Sequence, residues 1–265
     1  MNFLQLNKFS ELHNNSSIIF CKTDYLHTEF LNISERKKDC ILISGNSDYG
    51  ITDDIISYIP KYVKKWFAQN AISNNSLLVP IPLGLENKKE CYRHEHGTGY
   101  EKRMKEKEGE IIKNRITNTN PIKFIYLNCN IHTNPSYRTH IRGLALSTNY
   151  IDIEQPSLSI SELYSNYSEY KMILCPIGNG VDTHRLWEVL YLNRIPITIK
   201  VGNFNLYRMY EELPIVLLEN HQELLDKALI EDKYYIAQDK LKGLEQKLDY
   251  NYWKNLILKE HEKLQ

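Results

Sequence analysis

Charge of one sign is what this sequence lacks: 33 lysines and arginines stand against 33 aspartates and glutamates over 265 residues. Without a net basic field there is no counterion-release term to hold nucleic acid, so no nucleic-acid partner is expected. Long apolar runs are missing too. No stretch of about 18 apolar residues occurs, and the opening MNFLQLNKFSELHNN has no basic n-region leading into an apolar h-region. Neither a signal peptide nor a spanning helix is read, and the expected location is the cytoplasm. Cysteine is scarce and odd in number. Cys21, Cys40, Cys91, Cys129 and Cys175 are widely spaced, mostly beside apolar runs, which predicts buried thiols in a reducing compartment rather than disulfides. There is no GxGxxG and no GK[ST], so neither a dinucleotide fingerprint nor a P-loop is present. No D-x-D pair occurs, and Cys91, His94 and His96 have no second Cys/His pair at usable spacing for zinc, so no metal and no cofactor are expected. Solenoid-period repeats and low-complexity tracts are absent.

What is present is an ordinary globular composition, 42% hydrophobic and 25% charged, enough for one large or two small domains. Nineteen tyrosines and many Asn, Lys and Ile residues suit an AT-rich genome and carry no functional weight. Ser17 to Cys21 and Cys40 to Ser44 are short, β-branched runs bounded by polar turns, the pattern of buried strands. After GNSDYG, Thr52 reads as an N-cap with Asp53 and Asp54 in the first turn of a helix running through IISYIPKYVKKWFAQNA. LLVPIPLGLEN supplies another short strand. From Glu86 to about Asn120 the chain turns densely charged, predicting a loop and then an exposed helix, with a domain boundary at its end. The βα rhythm then restarts with strand KFIYLNC, helix NPSYRTHIRGLAL, strand MILCP, strand IPITI and strand PIVLL, followed by an amphipathic helical tail from Lys227 to Gln265. The expected architecture is α/β, with a first βα domain over residues 1–119 and a second over 120–265 whose last helix packs back on the first.

The segment CPIGNGVDTHRLWEVLYLNRIPI, from Cys175 to Ile197, carries more polar groups than a strand-turn-helix needs. Asp182 or Thr183 caps a helix ending near Leu192, and Asn193 follows as a left-handed C-cap. Gly178, Asn179 and Gly180 form a loop whose backbone N–H groups are able to approach an anion. Arg185 adds charge to the positive end of the helix dipole. Glu188, three residues further on, repels phosphate but suits hydroxyls such as those of a ribose. These residues describe a nucleoside-diphosphate site at the carboxyl ends of a parallel sheet. A capped helix with an internal Arg–Glu pair, worth a few tenths of a kcal/mol, accounts for the same letters without a ligand. The stretch KFIYLNCNIHTNPSYRTHIR adds a second helix start: Asn134 as N-cap, Pro135 at the first helical position, and Arg138 directed at the same crevice. Arg142, four residues on, reads as part of a solvated face.

PIGNGVDTHRLWEVLYLNRIPI resembles the donor-binding segment of exostosin-like glycosyltransferases and related bacterial capsule and lipopolysaccharide transferases, a P-x-G-x-G-x-D-x-x-R-x-x-E-x-L-x-x-G-x-I-P-[IV] run. Thr133 to Arg138, Trp66 to Asn70, Ile81 to Asn87 and Leu213 to Leu218 are similar to further pieces of that group. The likeness extends from about Cys40 to about Leu225. It implies a GT-B architecture, with two Rossmann-like domains facing across a cleft. A nucleotide-sugar would bind the second domain and a glycan or lipid-linked saccharide acceptor the first. It also implies metal-independent transfer, with Arg185 on the diphosphate and Glu188 on the ribose or donor sugar. Asn193 departs from the family's glycine after the helix, and each domain is small for GT-B. The alternative is a non-catalytic nucleotide-sugar or glycan-binding protein of the same fold.

For the general base, Asp48 in GNSDYG is the first candidate, and a turn aspartate bonding its own backbone is the commoner use of such a sequence. His94 and His96 are second candidates. Asp182 and His184 flank the donor loop, with capping and orienting roles and, for His184, a phosphate contact. Tyr62, Trp66 and Phe67 read as core or as a sugar-stacking surface. Lys61, Lys64 and Lys65 read as a solvated face or as peripheral contact with an anionic membrane.

Overall fold

In the computed structural model the described residues are 2–14, 16–87, 101–117 and 120–264. Their strands all run parallel, in two sheets. The first sheet has the order β1-β2-β3-β4, from Ile18–Lys22, Cys40–Gly45, Val63–Ala68 and Leu78–Pro80. Helix α1 (Leu26–Arg36) and the short α2 (Asp53–Ser57) link its early strands. After α3 (Glu101–Thr117) comes β5 (Lys123–Leu127), then α4 (Pro135–Leu146), β6 (Ile151–Ile153), α5 (Ile160–Glu169) and β7 (Tyr170–Leu174). The chain continues through α6 (His184–Tyr191), β8 (Ile195–Ile199), α7 (Leu206–Glu211) and β9 (Val216–Leu218), and ends in α8 (Lys227–Asp239), α9 (Leu244–Leu248) and α10 (Tyr250–Glu262). The second sheet has the order β6-β5-β7-β8-β9. This α/β arrangement of two parallel sheets is compatible with two Rossmann-like units.

Alternation along the strands divides the apolar residues among three layers. Ile19, Cys21, Leu42, Trp66 and Ala68 face the layer of α1 and α2, while Ile18, Phe20, Ile41, Ile43 and Phe67 face the opposite way. In the second sheet Ile125, Leu127, Met172 and Leu174 pack with Ile141 of α4 and Ile230 of α8. Tyr126, Ile173 and Cys175 join the other set instead. That middle layer is shared: Phe20, Ile43 and Phe67 of the first sheet belong to one apolar cluster with Tyr164, Trp187, Tyr191 and Tyr210. The two halves are thus joined by a continuous core. The C-terminal helix contributes to it from behind, with Tyr250 N–H donating to the Asn2 carbonyl at 3.0 Å and Ser17 Oγ lying 2.7 Å from His261 Nε2.

Three sequence expectations change. The long helix through WFAQN is one short helix and a strand: Thr52 does cap it, accepting from Ile55 N–H, but it stops at Ser57 ahead of Pro60, and Val63–Ala68 becomes β3. This strand, VKKWFA, opens with adjacent Lys64 and Lys65, exposed and half-buried, so it shows no strict alternation and periodicity alone confuses it with a helix. The core reading of Trp66 and Phe67 holds in a strand instead of a helix, no helical sugar-stacking surface forms, and Lys61 and Lys64 are solvent-exposed. Trp66 and Phe67 are fully buried, and Lys64 pairs with Asp39 at 3.2 Å. Second, α3 is not an exposed helix. Met104, Lys107, Ile111 and Asn114 make a buried stripe, and the helix packs on α5 and α6, so the boundary expected at residue 119 puts it with the wrong sheet. Third, β6 and α5 were not anticipated, although Ser159 and Glu162 form a capping box at the start of α5.

Candidate functional site

In the second sheet β5 is followed to one side by β6 and to the other by β7, so the chain reverses its direction of travel between β5 and β7. Ligands of open α/β sheets bind beyond the carboxyl ends of the strands at such a point. The loop after β5 carries Asn128 to Asn134, and the loop after β7 carries Cys175 to Thr183. Facing them are the ends of β2 and β3, bearing Asn46, Ser47, Asp48 and Gln69. A cavity of about 360 Å³ lies between, lined from both halves.

Two half-buried guanidinium groups dominate its second-sheet side. Arg138, projecting from the first turn of α4, ties the two loops together. Its Nε donates to the Ile177 carbonyl at 2.8 Å and its Nη1 to Asn130 at 2.7 Å, with Nη2 3.4 Å from the Pro176 carbonyl. Arg185, in the first turn of α6, donates through Nη1 to the Asn128 carbonyl and lies 5.6 Å over the Tyr167 ring. Among the described residues neither forms an ion pair with a carboxylate. Burial lowers the Arg138 pKa, a sign that the cation sits poorly solvated and without a counter-charge. The helix starts of α4 and α6 add their positive ends to the same place.

Glu188 does not line this cavity. It is 4% exposed and bonds Lys107 of α3 at 2.6 Å, while Lys107 also reaches Glu86 at 3.0 Å. A second cavity of about 280 Å³ adjoins the first there. Glu188, Lys107 and Tyr164 line it, and His184 and Arg185 form the wall common to both. The Tyr164 hydroxyl is buried beside it with no hydrogen-bond partner among the described residues. Burial by itself would raise the Glu188 carboxyl, but Lys107 and Arg185 more than reverse this and hold it at about 2. Its folded pKa is thus below its ordinary value of 4.5. The stability it contributes is complete above pH 4.5 and is lost as pH falls toward about 2. Glu188→Gln is accordingly expected to flatten the acid side of the stability curve, read as the midpoint of urea unfolding between about pH 5 and pH 3.

The glycine loop works differently from the sequence expectation. Gly178 N–H is not free for an anion, since it donates to the Gly180 carbonyl at 3.1 Å. Neither Gly178 nor Gly180 has a positive φ. Gly180 is required by contact: a Cβ there would lie 2.7 Å from Asn70 Nδ2, an amide held by its bonds. Asn70, at the end of β3 with φ 50°, donates to the Ser47 carbonyl at 3.1 Å and accepts from Asp182 N–H at 2.8 Å. Asp182 is no ligand group either. Its buried carboxylate accepts from Leu83 N–H, Trp187 Nε1 and Tyr210 OH at 2.8, 2.8 and 2.7 Å, which ties the two halves of the chain together. Thr183, not Asp182, stands at the N-cap of α6, and its side chain makes no capping bond. Asn134 is the N-cap of α4 by position, but its amide donates to the Gly178 carbonyl at 2.8 Å. Asn193 has φ 54°, the left-handed conformation expected of it.

His184 Nδ1 lies 2.8 Å from the Gly84 carbonyl, an acceptor only, so Nδ1 carries the proton of this bond. Asn179 extends from the loop and donates to Asp48 Oδ2 at 3.2 Å across the cavity mouth. Asp48 is exposed and lines the cavity. The candidate residues Cys91, His94 and His96 lie outside the described residues. Cys21, Cys40, Cys129 and Cys175 are free, buried thiols. Among the described residues no group of three or more His, Cys, Asp or Glu side chains is arranged to hold a metal ion, and no helix is long and apolar enough to cross a membrane.

Sequence reasoning had no means of finding Lys107, which comes from a charged helix with no motif. Nor did it single out Asn70 and Gln69, beyond the likeness of WFAQN to a family segment. No protein-family model matches the chain, and no curated protein matches it.

Proposed function

We propose that the chain is a glycosyltransferase of the GT-B type, moving a sugar from a nucleotide-sugar donor to a saccharide or lipid-linked glycan acceptor without a metal. One observation carries the reading: two guanidinium groups, held by backbone carbonyls at the strand-order reversal of the second sheet, form no ion pair with a carboxylate among the described residues. Buried cations in a crevice are paired or await an anion, and a diphosphate supplies one. Arg185 stands where the two cavities meet, which suits a diphosphate linking a nucleoside to a sugar. The nucleoside would occupy the cavity of Glu188 and Tyr164, and the sugar the cavity between the sheets.

The transfer joins the acceptor hydroxyl oxygen to the anomeric carbon of the donor sugar. The bond from that carbon to the diphosphate oxygen breaks, its electron pair leaving with the diphosphate beside Arg138 and Arg185. Asp48 takes the acceptor proton from the first-sheet side. A cytoplasmic site of action fits a nucleotide-sugar donor.

Thermal shift with UDP, GDP, CMP and NAD tests the donor site. Stabilisation by a diphosphate nucleotide or its sugar conjugate is expected, and a response to NAD alone overturns the proposal. Asp48→Asn should keep that shift and lose transfer. If no sugar is transferred or hydrolysed by the unaltered protein, it is a binder rather than an enzyme.

A further inference from the structure

The two walls of the larger cavity differ in chemistry. Its cations, Arg138 and Arg185, both come from the second sheet's side, whereas the first-sheet side is lined by carboxamides and one carboxylate, with no lysine or arginine among the described residues. Three asparagines there form a connected set. Asn46 Nδ2 donates to Asn7 Oδ1, Asn87 Nδ2 donates to Asn46 Oδ1 at 3.0 Å, and Asn7 N–H donates to Asn87 Oδ1 at 3.0 Å. Each bond fixes the orientation of an amide, so the set faces the cavity as an ordered array of donors and acceptors. Gln69 stands beside them, 3% exposed, and its Oε1 is buried without a hydrogen-bond partner among the described residues. A buried polar atom left unpaired is costly, and Gln69 is part of the cavity wall.

We infer that this wall binds an uncharged, hydroxyl-rich saccharide, so that the acceptor of the proposed transfer is a neutral glycan rather than one bearing uronate, sialate or phosphate where it meets the wall. The inference rests on the glycosyltransferase reading for the word acceptor, and on the wall alone for the chemistry. A hydroxyl both donates and accepts, which matches a wall of carboxamides. An anionic substituent would meet carboxamides and the Asp48 carboxylate, with no lysine or arginine among the described residues on that side to repay its desolvation.

Saturation-transfer NMR with matched glycosides tests it: methyl glucoside against methyl glucuronide, and methyl galactoside against methyl galacturonide. Each pair differs only in CH₂OH against carboxylate. At least one neutral member should give a signal, with its uronate several-fold weaker. Gln69→Leu should reduce the neutral signal several-fold while the melting temperature holds or rises, because the substitution removes an unpaired buried atom. Equal signals from the uronates, no signal from either neutral glycoside, or an unchanged signal in Gln69→Leu overturns the inference. Nucleotide thermal shift on the same samples separates the two readings. A failed sugar test with an intact nucleotide shift leaves the donor site standing. Neutral-sugar binding without any nucleotide shift refutes the glycosyltransferase and retains the wall.

Discussion

Replacing Asp182 by alanine is expected to lower the stability of the whole protein by about 3–5 kcal/mol, measured by urea unfolding, with no intermediate in which one half stays folded. The carboxylate is 3% exposed and receives bonds from three donors: a backbone N–H preceding Gly84, the indole of α6 and the phenol of α7. Alanine leaves these donors unsatisfied in a dry interior, each at about 1–3 kcal/mol before relaxation. Asparagine is expected to cost less, about 2 kcal/mol, for two reasons. Its remaining oxygen keeps part of the set, and burial raises the Asp182 pKa in spite of the three donors, so removing the charge relieves some desolvation. Because Leu83 belongs to the first half and Trp187 to the second, loss of the bonds loosens both at once. Retention of full stability in Asp182→Ala would show that the shared apolar layer alone joins the halves.

Arg185→Gln is expected to weaken nucleoside-diphosphate binding more than a hundredfold, about 3 kcal/mol, with a smaller loss in the stability of the free protein. The two halves of that statement belong together. In the free protein the guanidinium has a carbonyl and an aromatic face for company, but no carboxylate among the described residues pairs with it. Glu188 on the same helix attracts it, but that carboxylate's hydrogen bond goes to Lys107. Attraction to Glu188 gives the cation a modest share in folding, and the larger part of its value appears when an anion arrives. If Arg185 were simply a strap between the loops, the variant would lose stability and bind nucleotide normally once folded. Arg138 is the contrasting case, since all three of its nitrogens face loop carbonyls and its removal should disturb the loop as well as the ligand. Calorimetric titration with the nucleotide found by thermal shift, alongside urea unfolding, distinguishes the outcomes.

Local pattern was enough for some of this. The runs at Ser17 to Cys21 and Cys40 to Ser44 read as strands because β-branched residues bounded by polar turns have few other uses, and Thr52, Pro135 and Asn193 announce helix ends through backbone chemistry that needs no neighbour. The glycine-bearing segment from Cys175 to Ile197 marks a strand, loop and helix with surplus charge. Its residues are mostly placed as a strand-loop-helix should place them, Arg185 in the first helical turn and Gly178 and Gly180 in the loop.

What each polar group does there was decided by partners distant in sequence. Asp182 was read as a cap or ligand and Glu188 as a hydroxyl acceptor at the glycine loop, because both are polar and near the helix start. Leu83 and Tyr210 claim the first, and Lys107 claims the second. Gly180 was read as backbone opened to an anion, and it is the space through which Asn70 crosses from the other sheet. β3 resembles a helix in sequence because adjacent Lys64 and Lys65 break the two-residue alternation that reveals a strand. The sequence by itself determined two parallel βα units and a charged strand-loop-helix, since hydrophobic alternation and turn chemistry act over a few residues. Only the tertiary structure decided which charges are spent on the protein and which face the cleft, because a carboxylate or guanidinium is committed by whatever donor or acceptor the fold brings within about 3 Å.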